Sequence, residues 1–173
     1  MSKPYNPRLT VDGIYQNPLY YGENPYPSLP NCTCYAWGRF YEIIGERPSL
    51  QLGNAKDWFP KTVLNGPYKT GDIPALGAVA CFGSDDGDGH VAIVEQINSD
   101  GTFIVSQSGY HRPIYEYPPD TPSYFTTDTY NIHNMPSQPV YYFQGFIYNP
   151  TQNLPFLDIP AWILFKFNKR RCF

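Results

Sequence analysis

No stretch of this 173-residue chain stays apolar over the roughly 20 residues that a membrane-spanning helix needs, and the apolar segment from Ile159 to Phe167 falls well short. Charge is scarce too. It makes up 16% of the residues, with 12 Lys and Arg against 15 Asp and Glu, for a formal net charge of −3. That balance excludes the broad basic footprint of a nucleic-acid binder. Its one basic run is Lys166, Lys169, Arg170 and Arg171, near the C-terminus. The opening residues, Met1 to Pro7, hold no apolar core of a secretory leader, so no signal peptide is expected. Cysteines number 4, and Cys32 and Cys34 stand too close together to pair with each other, so reduced thiols are expected rather than a disulfide framework.

Aromatic residues and prolines are plentiful. The chain has 16 Tyr, 19 Pro and 42% hydrophobic residues, which fits one globular domain with a core and many loops pinned by rings. Its aromatic surfaces would equally suit contact with sugars or peptides. Prolines from Pro4 to Pro30 forbid regular helix in residues 1–30, an extended arm that Tyr15, Tyr20, Tyr21 and Tyr26 are expected to pin. Asn31 is a good N-cap for a buried helix that Gly45 stops. A short second helix is expected from Asn54 to Pro60. Strands are read at Ala78–Phe82, His90–Ile97, Thr102–Gln107 and Val140–Tyr148, with a turn at Asn98–Gly101 and a Pro- and Tyr-rich loop over 112–139. Helices first and antiparallel strands after make an α+β layout. The main domain is placed at 31–149 and a C-terminal tail at 150–173.

Two residues stand where chemistry is favoured. Cys32 opens the first helix, where unpaired N–H groups lower a thiol's pKa and can hold an oxyanion, with the Asn31 amide as a second donor. A buried structural cysteine is the competing reading. Cys34 points to another side of the helix, and Cys81 reads as core filler. A metal site built from Cys32, Cys34, Cys81 and His90 lacks the spacing of a zinc knuckle. His90 follows Gly-Asp-Gly and begins an apolar strand, which puts an imidazole, half exposed, at the sheet rim where a general base is useful. His111 and His133 read as loop residues. If Ser99 and Asp100 make a two-residue turn, His90 faces Gly109 and lies diagonal to Gln107, whose amide oxygen can then fix the imidazole tautomer. A polar strand residue without a role is the alternative for Gln107.

These residues resemble a known family. Pro30-Asn-Cys-Thr-Cys-Tyr-Ala-Trp-Gly-Arg39 resembles the nucleophile motif of CHAP domains (cysteine, histidine-dependent amidohydrolases/peptidases). Gly89-His-Val-Ala-Ile-Val-Glu95 resembles that family's histidine motif, and Val105 to Tyr110 the segment supplying its third catalytic residue. Gln144-Gly-Phe-Ile147 is similar to the closing strand of phage-type members. The resemblance implies a papain-like α+β fold and hydrolysis of an amide bond in bacterial peptidoglycan, as an amidase or an endopeptidase. It implies Cys32 as nucleophile, His90 as base and Gln107 in the third position, with Asn31 and Tyr110 beside the oxyanion and substrate. It departs from the common pattern in carrying Asn31 where many members have Gln and Gln107 where many have Glu. The absence of a leader suits a phage endolysin in the host cytoplasm and then at the wall, or a virion-associated lysin with phage structural proteins as partners. The rival is an inactive wall-binding module of a phage tail. No cofactor is expected: the acidic run Ser84 to Gly89 invites calcium, but it does not fit an EF-hand loop and reads better as a turn that aims His90.

Overall fold

The computed structural model describes residues 5–10, 31–109, 125–137 and 141–151. The Asn31 side chain caps helix α1 (Cys32–Ile44) by accepting from the backbone N–H groups of Thr33 and Cys34 at 3.0 and 3.1 Å. Gly45 ends the helix in the left-handed region, φ 77°, its N–H donating to the Tyr41 carbonyl, a conformation a residue with a Cβ adopts at a cost. No residue of α1 is exposed, as its nearly all-round apolar sequence predicts. The second helix departs from expectation. A 3₁₀ turn (Ala55–Asp57) leads into α2 (Trp58–Asn65), which runs through Pro60. Pro60 lies in the first turn, where its missing N–H would have had no intrahelical partner, so it does not stop the helix.

Among the described residues six strands form one sheet: β1 (Thr70–Gly71), β2 (Val79–Gly83), β3 (His90–Ile97), β4 (Thr102–Ser108), β5 (Phe125–Asn131) and β6 (Tyr142–Ile147). Their order is β1-β6-β2-β3-β4-β5, with every neighbouring pair antiparallel. The architecture is therefore α+β, with two helices on an antiparallel sheet. Strand β5 was not expected, since its residues fall inside the stretch read as a Pro- and Tyr-rich loop. Phe125-Thr-Thr-Asp-Thr-Tyr-Asn131 instead has the β-branched, alternating character of a strand and pairs along its whole length with β4.

The sheet is covered on both faces. Val79, Cys81, Val91 and Ile93 pack beneath α1 and α2 with Ala36, Phe40 and Trp58. Their neighbours Ala80, Phe82, Ala92 and Val94 turn to the opposite face, where they meet Phe103, Val105 and Phe146. This is the period-two alternation of a strand buried on both sides, so β2 and β3 read as nearly continuous apolar runs. Aromatic rings fill that second face. Phe82 meets Tyr130 and Phe143, and Phe146 meets Phe103 and Phe143, at centroid distances of 4.9 to 5.8 Å. Much of the aromatic content is thus core.

The β3–β4 hairpin reaches the expected register by an unexpected route. Its tip is a three-residue loop, closed by the Asn98 N–H donating to the Thr102 carbonyl at 2.8 Å, with Gly101 at φ 85°. One residue too many for the assumed turn, it displaces the pairing near the tip, where Gln96 faces Ile104 and Ile97 faces Phe103. A bulge at Glu95 removes the displacement, so Val94 faces Val105 and Ile93 faces Ser106. Extended toward the strand end, that ladder sets His90 and Gln107 on one face, as the sequence predicts.

Candidate active site

The site is assembled where α1 begins and β3 begins. Cys32 occupies the first position of α1, directly after the Asn31 cap. A cavity of about 270 Å³ is lined by Asn31, Cys32, Asn54, Asp88, Gly89, His90, Gly109 and Tyr141, among others. Cys34 does not line it. The two cysteines of the motif are thus separated by the helix, and Cys32 is the one presented with His90.

Burial pushes the Cys32 thiol above its ordinary pKa, and the Asp88 carboxylate adds to the rise. The backbone N–H groups of Val91, Thr33 and Cys32 oppose it by favouring the thiolate. The net direction is opposite to the one a helix N-terminus alone predicts, because desolvation outweighs the amides. The Val91 contribution has a geometric meaning: the sulfur lies against β3, one residue past His90. Burial also raises Cys34, to about 11. Cys81 lies wholly in the core, as its apolar strand predicts, and Cys32, Cys34 and Cys81 are all free thiols.

His90 is 2% exposed, more deeply set than the half-exposed rim position expected of it. Phe82 and Tyr141 flank its ring at 6.1 Å between centroids. Its Nε2 and the Gln107 Oε1 are 2.8 Å apart, and Gln107 is fully buried. The Gln107 Nε2 in turn donates to the Asp128 carboxylate. Reading the sequence did not find Asp128, because it sits on β5. Its signal was the Thr-Thr-Asp-Thr-Tyr alternation, which puts Asp128 opposite Val105 and diagonal to Gln107 on one face. Tyr110 lies outside the described residues, as do Tyr15, Tyr20, Tyr21 and Tyr26; Gly109, next to Tyr110, lines the cavity. His133 is an exposed residue of a 3₁₀ turn.

The loop before β3 aims the histidine. Gly89 has φ 77°, and a Cβ there would meet the backbone of Lys56 and Phe82 at 2.5 to 2.8 Å. The Lys56 N–H donates to the Asp88 carbonyl and its ammonium to the Gly87 carbonyl, both within 2.9 Å, tying the 3₁₀ turn to this loop. Within it, Ser84 Oγ accepts from the Gly87 N–H and donates to Asp86. Among the described residues no three His, Cys, Asp or Glu side chains are gathered as metal ligands, so the conceivable Cys32, Cys34, Cys81 and His90 set does not come together. Nor, among those residues, is any helix long and apolar enough to cross a membrane.

A second buried polar cluster holds the body together. Arg39 of α1 donates to both carboxylate oxygens of Glu95, at 2.9 and 3.0 Å. Tyr5 OH, the Arg8 N–H and Ser106 Oγ add further donors at 2.6 to 2.8 Å, and Tyr35 OH donates to Ser106. Arg8 and Arg39 both pair with Glu42. The N-terminal residues 5–10 are therefore fastened to α1 and β3 by the Glu95 bulge.

The model of the CHAP domain matches residues 21–109. Among curated proteins, the N-acetylmuramoyl-L-alanine amidase sle1 of Staphylococcus haemolyticus is 30% identical over 134 residues, 77% of this chain and 38% of that protein. Its namesake from Staphylococcus epidermidis is 32% identical over 123 residues, 70% and 35% of the two chains. The chain thus spans little more than a third of the length of these relatives. A crystal structure of an N-acetylmuramoyl-L-alanine amidase from Staphylococcus aureus aligns with a TM-score of 0.48 and 26% identity over 67% of this chain and 30% of that one. With the matched segment running from before the Asn31 cap to Gly109 at the cavity wall, this chain belongs to the CHAP domain family.

Proposed function

We propose that the protein hydrolyses an amide bond of bacterial peptidoglycan, with Cys32 as nucleophile and His90 as general base. One observation carries the reading. Cys32, at the start of a helix, and His90, its ring bound to Gln107, line the same cavity. The relatives named as N-acetylmuramoyl-L-alanine amidases support the junction of sugar and stem peptide as the bond cut.

In the proposed reaction the Cys32 S–H proton passes to His90 as the sulfur attacks the substrate carbonyl carbon. A carbon–sulfur bond forms and the carbonyl electrons move onto oxygen. The raised thiol pKa supports transfer during attack rather than a resting ion pair. The oxyanion is met by the Cys32 backbone N–H and the Asn31 side chain. The cap commits Asn31 Oδ1 to Thr33 and Cys34, which leaves the amide NH₂ as its donor end. The intermediate collapses, the carbon–nitrogen bond breaks, and His90 returns its proton to the leaving amine. Water then attacks the thioester, gives a proton to His90, and Cys32 leaves and is reprotonated. The resemblance of Gln144–Ile147, on β6, to phage-type members supports a phage lysin as the setting.

Turbidity of purified peptidoglycan, followed with wild type and Cys32→Ala side by side, tests the reading. Clearing by wild type and a loss of at least about 1,000-fold in the variant are expected. Full activity in Cys32→Ala overturns it. Binding to walls without clearing by either protein would favour the wall-binding module.

A further inference from the structure

We infer that Asp128 is a positioning residue that sets the tautomer of His90 through Gln107. The inference rests on the reading of His90 as the base, and it concerns a residue beyond the segment that the CHAP model matches. Three side chains stand in line on one face of β3, β4 and β5: His90, Gln107 and Asp128.

The hydrogen-bonding roles along this line are forced by its outer end. A carboxylate only accepts, so the Gln107 amide must turn its NH₂ toward Asp128. The Gln107 carbonyl oxygen then faces His90, and it too only accepts. The proton on His90 is therefore on Nε2, and Nδ1 is the ring's acceptor nitrogen, the one able to take the Cys32 proton. Without Asp128 the amide has no such constraint. Flipped by 180°, it would offer NH₂ to Nε2 and leave the proton on Nδ1, the tautomer that cannot act as a base toward the thiol. A glutamate in the third position would need no such device, because a carboxylate accepts from either oxygen. Gln107 needs one, and β5 supplies it. Asp128 also returns a negative charge to the line, one side chain further from the imidazolium than a glutamate would place it.

The test uses the whole chain with Asp128→Ala, Asp128→Asn and the double variant Gln107→Glu/Asp128→Asn, with kcat and KM measured on solubilised peptidoglycan fragments. The His90 tautomer is read separately from ¹⁵N shifts of its ring, assigned with His90→Ala. Asp128→Ala should lower kcat about 100-fold with KM changed by no more than about twofold, and should convert a single Nε2–H tautomer into a mixture. In Asp128→Asn the new amide can accept from Gln107 in one orientation and donate to it in the other, so the contact is kept but the tautomer should again be mixed. The double variant moves the carboxylate one place inward and keeps the line connected. It should recover most of the lost kcat, whereas Gln107→Glu alone sets two carboxylates together and should not. An unchanged tautomer and a kcat within about twofold of wild type in Asp128→Ala overturn the inference. If that variant does not fold, a single Nε2–H tautomer with kcat within about twofold of wild type in Asp128→Asn, or a double variant no better than Gln107→Glu, overturns it. The ring shifts need no turnover, so failure of the base assignment itself, revealed by an active His90→Ala, is distinguishable from failure of the Asp128 role.

Discussion

Two buried polar clusters branch from the same pair of strands. One faces the helices and centres on Glu95 and Ser106; the other faces the aromatic side and centres on His90 and Gln107. In the first, the carboxylate is surrounded by donors from α1, β4 and residues 5–10, and its charge is matched directly by Arg39. In the second, the carboxylate stands two side chains back, and the front of the line opens on a cavity beside a thiol. A closed network with its charge paired fixes structure. A network held rigid from behind, with one titrating group facing a cavity, is fitted to move a proton.

The comparison breaks if the clusters can exchange consequences. The largest expected effect is in the first. Glu95→Ala strips Arg39 of its buried partner and should cost about 3–5 kcal/mol in urea unfolding, with kcat per folded molecule little changed. A large fall in kcat at unchanged stability would assign the Glu95 cluster to chemistry instead. Asp128→Ala is the mirror case, where kcat falls and the unfolding midpoint stays nearly fixed. A smaller effect should come from Asn31→Ala, because the cap serves both ends of the comparison. Its loss should cost about 1 kcal/mol of stability, and kcat should fall as well if the amide NH₂ meets the oxyanion. Asn31→Asp, which restores the cap but not the NH₂ donor, separates the two.

A test that bears on the first cluster is the pH dependence of stability. Burial raises Cys34 from 9.0 to about 11 and raises Tyr5 and Tyr35 as well. A group whose folded pKa lies above its unfolded value contributes stability that is complete below the unfolded pKa and is lost as pH rises through the folded one. The unfolding midpoint should therefore fall steadily from about pH 9 to pH 11. Cys34→Ser should flatten the early part of that decline. A midpoint that rose over this range would contradict the burial of these groups.

Local signals made α1, β2, β3 and β4 legible in the sequence; the diagonal of His90 and Gln107 came out as expected only because the unread third loop residue and the unread bulge at Glu95 offset each other in the count from the turn. The Asn31 cap, the Gly45 stop and the apolar runs each act within a few residues of their own position. What was not legible depends on distant neighbours. Pro60 reads as a helix end unless the 3₁₀ turn before it is known to place it in the first turn. Phe125–Asn131 reads as loop because prolines surround it and only pairing with β4 makes it a strand. Asp128 was missed with it. The deep burial of His90 depends on Phe82 and Tyr141, which come from two other parts of the chain.

The bulge at Glu95 has a consequence for tolerated changes in chain length. The extra residue in β3 is taken up between Gln96 and Val94, so the ladder from Val94 to the site end keeps its own register. Removing one residue from 99–101 would leave a two-residue turn between Asn98 and Thr102 and every pair of the ladder in place. Removing the bulge residue would leave Val94 opposite Val105 and the site pairing untouched, at the expense of the Glu95 cluster. Length changes at the tip are thus decoupled from the site, and the loss of the bulge would be felt in stability before chemistry.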